Sequence, residues 1–350
     1  MPISAELDET DLTLLNALQI SPRASWSAVG RALGTDAATA ARRWHRLFER
    51  GLAWVTGYPA GGLDELAGAL VEIECEAAQT RQVAAVIAED PEAVTVEETA
   101  GGRDLLITVH AVDLAALSAY ISGRLRLLPG VRATRTNIFT DGFTDGGQWR
   151  LGTLDAQAQR ALGPSAPSAG ELPTLRDELD QRIMVELSRD GRVTATELAE
   201  TLGVAVTTAA RRLRRLLGSG AVQLRCEVSR AAVGRPVTAT LWAATSPQHV
   251  EAAGRELSRL PQIRLAVEVA GPSNVICIAW LSSLRDLALL EMEIARRAPH
   301  LTIVDRAVTL HPVKHSARLL DHQGRARGVV PTDLWARSAD ESAATVGRDA

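Results

Sequence analysis

Two short basic stretches hold the residues best suited to chemistry. ATAARRWHRL runs from Ala38 to Leu47, and TTAARRLRRL runs from Thr207 to Leu216. At 100° per residue, Thr39, Arg42, Arg43, Arg46 and Arg50 fall on one side of a helix, with Ala40, Trp44, Leu47 and Phe48 opposite. In the second stretch Thr208, Arg211, Arg212 and Arg215 take the polar side, while Ala209, Leu213, Leu216 and Leu217 take the apolar one. A helix with an apolar seat and an Arg/Thr face is suited to lying on an anion. Thr39, Arg42, Arg43 and Arg46, with Thr207, Thr208, Arg211, Arg212, Arg214 and Arg215, are therefore candidate double-stranded DNA contacts. Arginine can pair bidentately with guanine or hold a phosphate. A solvated helix face is the ordinary alternative for any run of arginines.

Composition limits what else the chain can do. Its 350 residues predict two to four domains. The net charge of −4 means that any nucleic-acid contact must come from local patches such as these two helices. Of 38 basic residues only Lys314 is a lysine, a bias that GC-rich coding would also produce. Cys75, Cys226 and Cys277 are scattered with no C-x-x-C pair, which argues against a zinc ribbon or a disulfide framework and fits a reducing cytoplasm. The opening MPISAELDETDL lacks the apolar core of a signal peptide, and no apolar run approaches membrane-spanning length. His311 and His315 flank Pro312 after a strand-like run, so they read as surface histidines rather than a metal pair. Nothing indicates a tightly held cofactor or metal.

The elements that must position the basic stretches follow from local signals. Asp8 is a good N-cap for a first helix with Glu9 and Asp11 in its first turn, and Ser21-Pro22 closes it. Ser25 opens a second helix that Gly34 ends. The basic helix is capped by Asp36 and stopped by Gly51. This is a helix-turn-helix, with Leu52 to Thr56 returning as a wing. Residues 66–140 change character, with β-like runs at 69–75, 94–99, 104–110 and 131–139 and helical patterns at 78–89 and 114–127. That order, β-α-β-β-α-β, is the ferredoxin-like split βαβ. The trio Trp26, Trp44 and Trp54 reads as core anchors rather than base-stacking groups.

The chain then repeats itself. A shift of 169 aligns Asp11 with Asp180, Arg23 with Arg192, Gly34 with Gly203, and Thr39 to Arg43 with Thr208 to Arg212. A shift of 170 aligns Pro91 with Pro261, Gly101 with Gly271, Asp104 with Asn274 and Pro129 with Pro299. This is duplication of a two-domain unit, not a solenoid. The predicted domains are a winged helix-turn-helix at 1–57, a sensor domain at 66–140, a linker at 141–174, a second winged helix-turn-helix at 175–225, a second sensor domain at 236–315 and a disordered tail at 316–350. Ala205 stands where the first copy has the capping Asp36, which costs the second basic helix about 1 kcal/mol.

Each half resembles the leucine-responsive/asparagine regulator (Lrp/AsnC) family. The resemblance rests on LDETD opening the first helix, on L-G followed by a helix with R-R-x-x-R-L, on a G-x-x-D strand turn, and on P-G-V before a Thr-rich strand. It implies an α+β fold of two tandem units, each a winged helix-turn-helix followed by a ferredoxin-like βαββαβ ligand-sensing domain of the dimeric α/β-barrel type. It implies a DNA-binding transcriptional regulator rather than an enzyme, with sensor domains paired within the chain as a pseudo-dimer and with homo-oligomers of that unit. It also implies an amino-acid or related effector near Gly101, Gly102, Arg103 and Asp104 and near Gly271, Pro272, Ser273 and Asn274. A plain β-hairpin turn accounts for the same glycines. Asn274 in place of Asp104 means that the halves need not share one ligand. The family's Val-Lys ending is present only in the second copy, at Val313-Lys314. Sirohaem decarboxylases resemble the same fused architecture and form the rival reading. The first sensor strands, Gly68 to Glu76 and Arg235 to Ala244, carry no His, and the basic helices keep full Arg faces.

Overall fold

The structure, a computed structural model, describes residues 6–59, 66–162, 175 and 177–335. In the first unit, helices α1 (Glu9–Ile20), α2 (Trp26–Leu33) and α3 (Ala37–Glu49) precede strand β1 (Ala53–Pro59). Asp8, Ser25 and Asp36 cap the three helices through backbone N–H groups three residues on. Leu14, Leu15, Leu18, Val29, Ala40 and Leu47 form the core between them. The first sensor follows as β2 (Ala67–Cys75), α4 (Thr80–Ala88), β3 (Ala93–Ala100), β4 (Leu105–Ala111), α5 (Leu114–Gly123) and β5 (Val131–Thr144). A short helix, α6 (Ala156–Ala161), leads to the second unit. Its helices are α7 (Glu178–Arg189), α8 (Ala195–Leu202) and α9 (Val206–Ser219), followed by β6 (Val222–Val228). The second sensor is β7 (Val237–Ala244), α10 (Val250–Ser258), β8 (Ile263–Ala270), β9 (Val275–Leu281), α11 (Arg285–Arg297) and β10 (Thr302–His315). Strands β11 (Arg318–Leu320) and β12 (Ala326–Val329) are the last described elements.

The two sensor sheets close on each other. The strand order β10-β3-β4-β2-β5-β8-β9-β7 returns to β10, giving an eight-stranded antiparallel barrel within one chain. Closure depends on two long strands that change partner midway. β5 pairs with β2 up to Ile138 and with β8 from Ile138 onward. β10 pairs with β7 up to Val308 and with β3 from Val308 onward. The two pivots are separated by the 170-residue shift of the sequence repeat. Alternation then sorts the side chains. Ala69, Val71 and Ile73 of β2 face α4 and α5, whereas Leu70 joins Leu106, Phe139, Trp242, Val267 and Ile276 inside the barrel. Strands buried on both faces lose the clean alternation of a half-exposed strand.

Two boundaries differ from the sequence expectation. The segment from 141 reads as linker, yet β5 continues through Thr144 and residues 149–162 pack on the core of the first helical module, against α1 and α2. Buried Asn16 accepts the backbone N–H of Thr153 at 2.9 Å and of Leu154 at 3.0 Å, and Gln19 accepts that of Leu151 at 2.9 Å. The segment from 316 reads as a disordered tail, yet residues 318–329 form a hairpin on the end of β10. Backbone bonds from Ala326 to Gly51 and from Thr332 to the Ser188 hydroxyl carry it across both helical modules. The remainder of both segments, 163–174 and 336–350, lies outside the described residues.

The exchange of β5 relies on a close approach. A Cβ built on Gly254 of α10 would lie 2.2 Å from the Phe143 ring. Gly254→Ala is expected to push the crossover end of β5 off α10 and to lower stability by about 1–3 kcal/mol, read as a lower denaturant midpoint.

Candidate nucleic-acid interface and sensor site

Each basic helix is fastened to its own module by a buried carboxylate. Asp11 is 1% exposed and receives Arg43 at 2.8 Å and Arg46 at 2.7 Å, with Asp8 also taking Arg43 at 2.7 Å. The second module repeats the arrangement. Fully buried Asp180 pairs with Arg212 at 3.0 Å and with Arg215, and Asp177 takes Arg212 at 2.7 Å. A buried carboxylate with two guanidinium partners is satisfied, and it sets the crossing of the first helix against the third. The acids that read as helix-dipole partners in the sequence thus have a second task, which a spacing of 32–35 residues conceals.

The candidate DNA contacts therefore divide. Arg43, Arg46, Arg212 and Arg215 are engaged by these carboxylates. Arg42, Arg211 and Arg214 are exposed on the outer faces of α3 and α9. Thr39 is half-buried; its hydroxyl donates to Asp36 at 2.8 Å and accepts from Arg42 at 2.9 Å. Thr207 is exposed and Thr208 half-buried. Ala205 makes no side-chain cap bond, as its side chain requires. Trp44 and Trp54 are buried, and half-buried Trp26 lies under Arg192, with the guanidinium carbon 4.2 Å from the ring centre.

The two modules are also locked to each other. β1 and β6 pair antiparallel along seven residues each. Arg23 donates to the carbonyls of Gly191 at 2.7 Å and Val193 at 2.9 Å, and Arg192 donates to those of Pro22 at 2.5 Å and Ala24 at 3.1 Å. The repeat-related arginines are exchanged across a pseudo-twofold axis.

At the sensor turns, Gly101, Gly102, Gly271 and Pro272 are exposed, and Ser273 is half-buried. The other candidates are occupied. Arg103 is buried between Glu72 at 2.9 Å and Asp305, and its guanidinium carbon sits 4.1 Å from the Trp242 ring centre. It fastens the first sensor to the second. Burial would raise the Asp305 carboxyl, but Arg103 holds it below its usual value. Asp104 accepts the Cys75 backbone N–H at 2.7 Å. Asn274 does the same for Thr245 at 3.0 Å and also donates to its carbonyl at 2.9 Å. The acid and the amide therefore share one task, tying the hairpin turn to the end of a neighbouring strand. Lys314 is buried and donates to the Asp90 carbonyl at 2.7 Å, and burial pushes its ammonium down to about 8.

A polar cluster that the sequence did not announce joins the wing strands to the barrel. Glu227 of β6 pairs with Arg264 of β8, whose guanidinium carbon lies 4.1 Å from the Trp280 ring centre and 5.3 Å from that of Trp149. His315 reaches Glu227 at 3.3 Å and packs edge-on to Trp54, so it is a joint residue and not the surface histidine expected. Burial alone would raise the Glu227 carboxyl; Arg264, His315 and Arg225 override it and hold it at about 2. Half-buried His110 is pushed down to about 4 by burial and by Arg225.

Comparison with known proteins places these features. The AsnC-type helix-turn-helix domain matches residues 7–47 and 177–217, and the Lrp/AsnC ligand binding domain matches residues 68–148. An uncharacterized HTH-type transcriptional regulator of Pyrococcus abyssi is 31% identical over 140 residues, spanning 39% of this chain and 87% of that protein. The chain belongs to the Lrp/AsnC family. The Bkd operon transcriptional regulator of Pseudomonas aeruginosa is likewise 31% identical over 140 residues, 38% of this chain and 90% of the relative. Over the full length, the chain is similar to the crystal structure of the siroheme decarboxylase NirDL. The TM-score is 0.58 at 13% identity, covering 96% of this chain and 99% of that one. At that identity the likeness is one of fold: two Lrp/AsnC units in tandem.

Two outcomes test this geometry. Asp180→Asn removes the charge shared by Arg212 and Arg215 and is expected to lower stability by about 1.5–3 kcal/mol, checked by urea unfolding. The depressed groups also fix an acid profile. An unfolded-state histidine takes up a proton that folded His110 refuses, so stability falls as pH drops from the ordinary 6.5 to about 4. Glu227 adds a further loss as pH falls from its ordinary 4.5 toward about 2. In thermal melts His110→Gln should flatten the first window, and Glu227→Gln the second.

Proposed function

We propose that the protein is a sequence-specific DNA-binding transcriptional regulator of the Lrp/AsnC type that works in the cytoplasm. A small effector, an amino acid or a related metabolite, would act at the paired sensor domains. The carrying observation is the pair of outer helix faces. Arg42 on α3, and Thr207, Arg211 and Arg214 on α9, are exposed, while the other arginines of each helix hold it in place. Two such helices joined through one β1–β6 ribbon present two reading surfaces from a single chain. DNA half-sites about one turn, roughly 34 Å, apart suit that arrangement. The relatives named above as transcriptional regulators support the same reading. An effector at the sensor turns would meet the exposed backbone at Gly101 and Gly102 and at Gly271, with Ser273 beside the latter, because Arg103, Asp104 and Asn274 are already engaged. It would act by binding one arrangement of the chain better than another.

The whole-length likeness to NirDL favours a second reading, an enzyme acting on a tetrapyrrole. That chemistry needs cations left over for a large polyanion. The arginines at the barrel face carboxylates instead: buried Arg103 faces Glu72 and Asp305, half-buried Arg230 faces Glu97, and buried Arg264 faces Glu227. Strands β2 and β7 contain no histidine.

The deciding experiment titrates the full chain onto pooled genomic fragments, its own upstream region included, at two salt concentrations. The parent is run beside the triple variant Arg42→Ala/Arg211→Ala/Arg214→Ala, which spares the carboxylate clamps. Selective binding that weakens with salt, and a variant with about tenfold or greater loss and a shallower salt slope, are the expected results. Absence of any preferred fragment, together with a Soret shift on adding a sirohaem analogue, would replace the regulator with the enzyme.

A further inference from the structure

The β11–β12 hairpin touches both helical modules. The Ala326 N–H donates to the Gly51 carbonyl at 2.9 Å just past α3, and Arg325 pairs with Glu6 before α1. On the other side Arg318 donates to the Arg189 carbonyl at 2.7 Å, and the Thr332 N–H to the Ser188 hydroxyl at 3.0 Å, both at the end of α7. Gly51 has φ of +65° and lies so close to Ala326 that a Cβ would sit 2.2 Å from its carbonyl oxygen. The hairpin is thus a strap from the end of the first basic helix to the second helical module.

Beneath this strap is a cavity of about 200 Å³, lined by Phe48 of α3, Ala53 and Trp54 of β1, Arg318, and the 326–329 stretch of β12. Its chemistry is unbalanced. Trp54 is 1% exposed, and its indole N–H has no hydrogen-bond partner. Arg318 is 8% exposed, and its Nε–H also has none. A buried donor without an acceptor is costly, and the Asp190 carboxylate acts on the Arg318 guanidinium without forming an ion pair with it. Arg327, exposed, brings a second positive charge to the cavity wall. Phe48, 40% exposed, supplies an uncovered apolar ring next to them, 5.7 Å from the Arg318 guanidinium carbon. Two orphaned donors and two cations call for an acceptor with negative charge. Phe48 and Ala53 call for an apolar body. The volume lies below the roughly 300–1,000 Å³ of drug-sized pockets, so the ligand is of amino-acid size and not a macrocycle.

We propose that the cavity between the C-terminal strap and the end of the first basic helix binds a small carboxylate with an apolar body. Its carboxylate accepts from Arg318 and Trp54, and its apolar part packs on Phe48. Occupancy tightens the strap on α3. Binding stands by itself; only its effect on DNA rests on the regulator reading.

The test is isothermal titration of the full chain, without DNA, with phenylacetate and 4-methylpentanoate. Phenylacetamide and inorganic phosphate serve as comparators. One-site binding of at least one carboxylate is expected, about tenfold or more tighter than the amide or phosphate. Arg318→Met should weaken it about tenfold or more, and Trp54→Phe, which keeps an aromatic ring in place and removes the N–H, about threefold or more. Arg327→Gln, an exposed change that leaves the fold alone, should weaken it about twofold or more and gives the answer if the buried variants do not fold. Absence of binding by both carboxylates, equal binding of the amide or phosphate, or carboxylate affinity unchanged in the folded variants would each overturn the proposal. Because no DNA is present, failure here leaves the regulator reading standing, and failure of that reading leaves this site standing.

Discussion

The architecture depends on two strands that belong to two sheets at once. β5 leaves its own sheet at Ile138, and β10 leaves its own at Val308. Each finishes in the other sensor, where Phe143 packs with the second core and Val313 joins the first. A ferredoxin-like sheet carries an uncovered face and two exposed edges, and both are liabilities in water. Reciprocal exchange removes both, because the faces meet inside a barrel and the edges pair. Once closed, the barrel leaves little freedom to the helical modules, which are joined through β1 and β6 and share the Glu227–Arg264 joint with it.

Buried carboxylates recur wherever the pieces of the chain meet. Asp11 and Asp180 each hold two arginines of a basic helix, Glu72 receives Arg103 and Arg135, and Glu227 receives Arg264 and His315. Desolvating such groups costs about as much as their attraction returns, so they add little net stability. Their value lies in position, since a displaced carboxylate would be left buried and unpaired. Under the proposed regulator reading, two basic helices held at a fixed separation have a use for contacts of that kind. The same logic divides each basic helix into arginines that face carboxylates and arginines that face solvent.

Much of this was legible in the sequence because it is local or periodic. Caps at Asp8, Ser25 and Asp36 mark helix starts, and the 169- and 170-residue shifts reveal the duplication. The split βαβ order gives each sensor. What escaped is long-range. DGFT reads as the start of a linker because nothing local says that β8 will extend the strand through it. The polar stretch DHQGRARGVV reads as tail because its partners, β10 and Gly51, lie elsewhere in the chain. Arg103 reads as a ligand group in a Gly-rich turn, and only barrel closure shows Asp305 and Trp242 waiting for it. Glu227, Arg264 and His315 are separated by 37 and 51 residues along the sequence, with no pattern to connect them.

The central claim is that one chain holds two DNA-reading helices in a fixed relation. It is tested most directly by binding to an isolated operator whose two half-sites are moved apart by about half a helical turn, roughly five base pairs, and then by a full turn. The account predicts that the half-turn insertion costs most of the affinity and the full turn restores part of it. A rigid two-headed reader tolerates a change of distance better than a change of face. Equal affinity at all three spacings would contradict it, because the helices would then be acting independently.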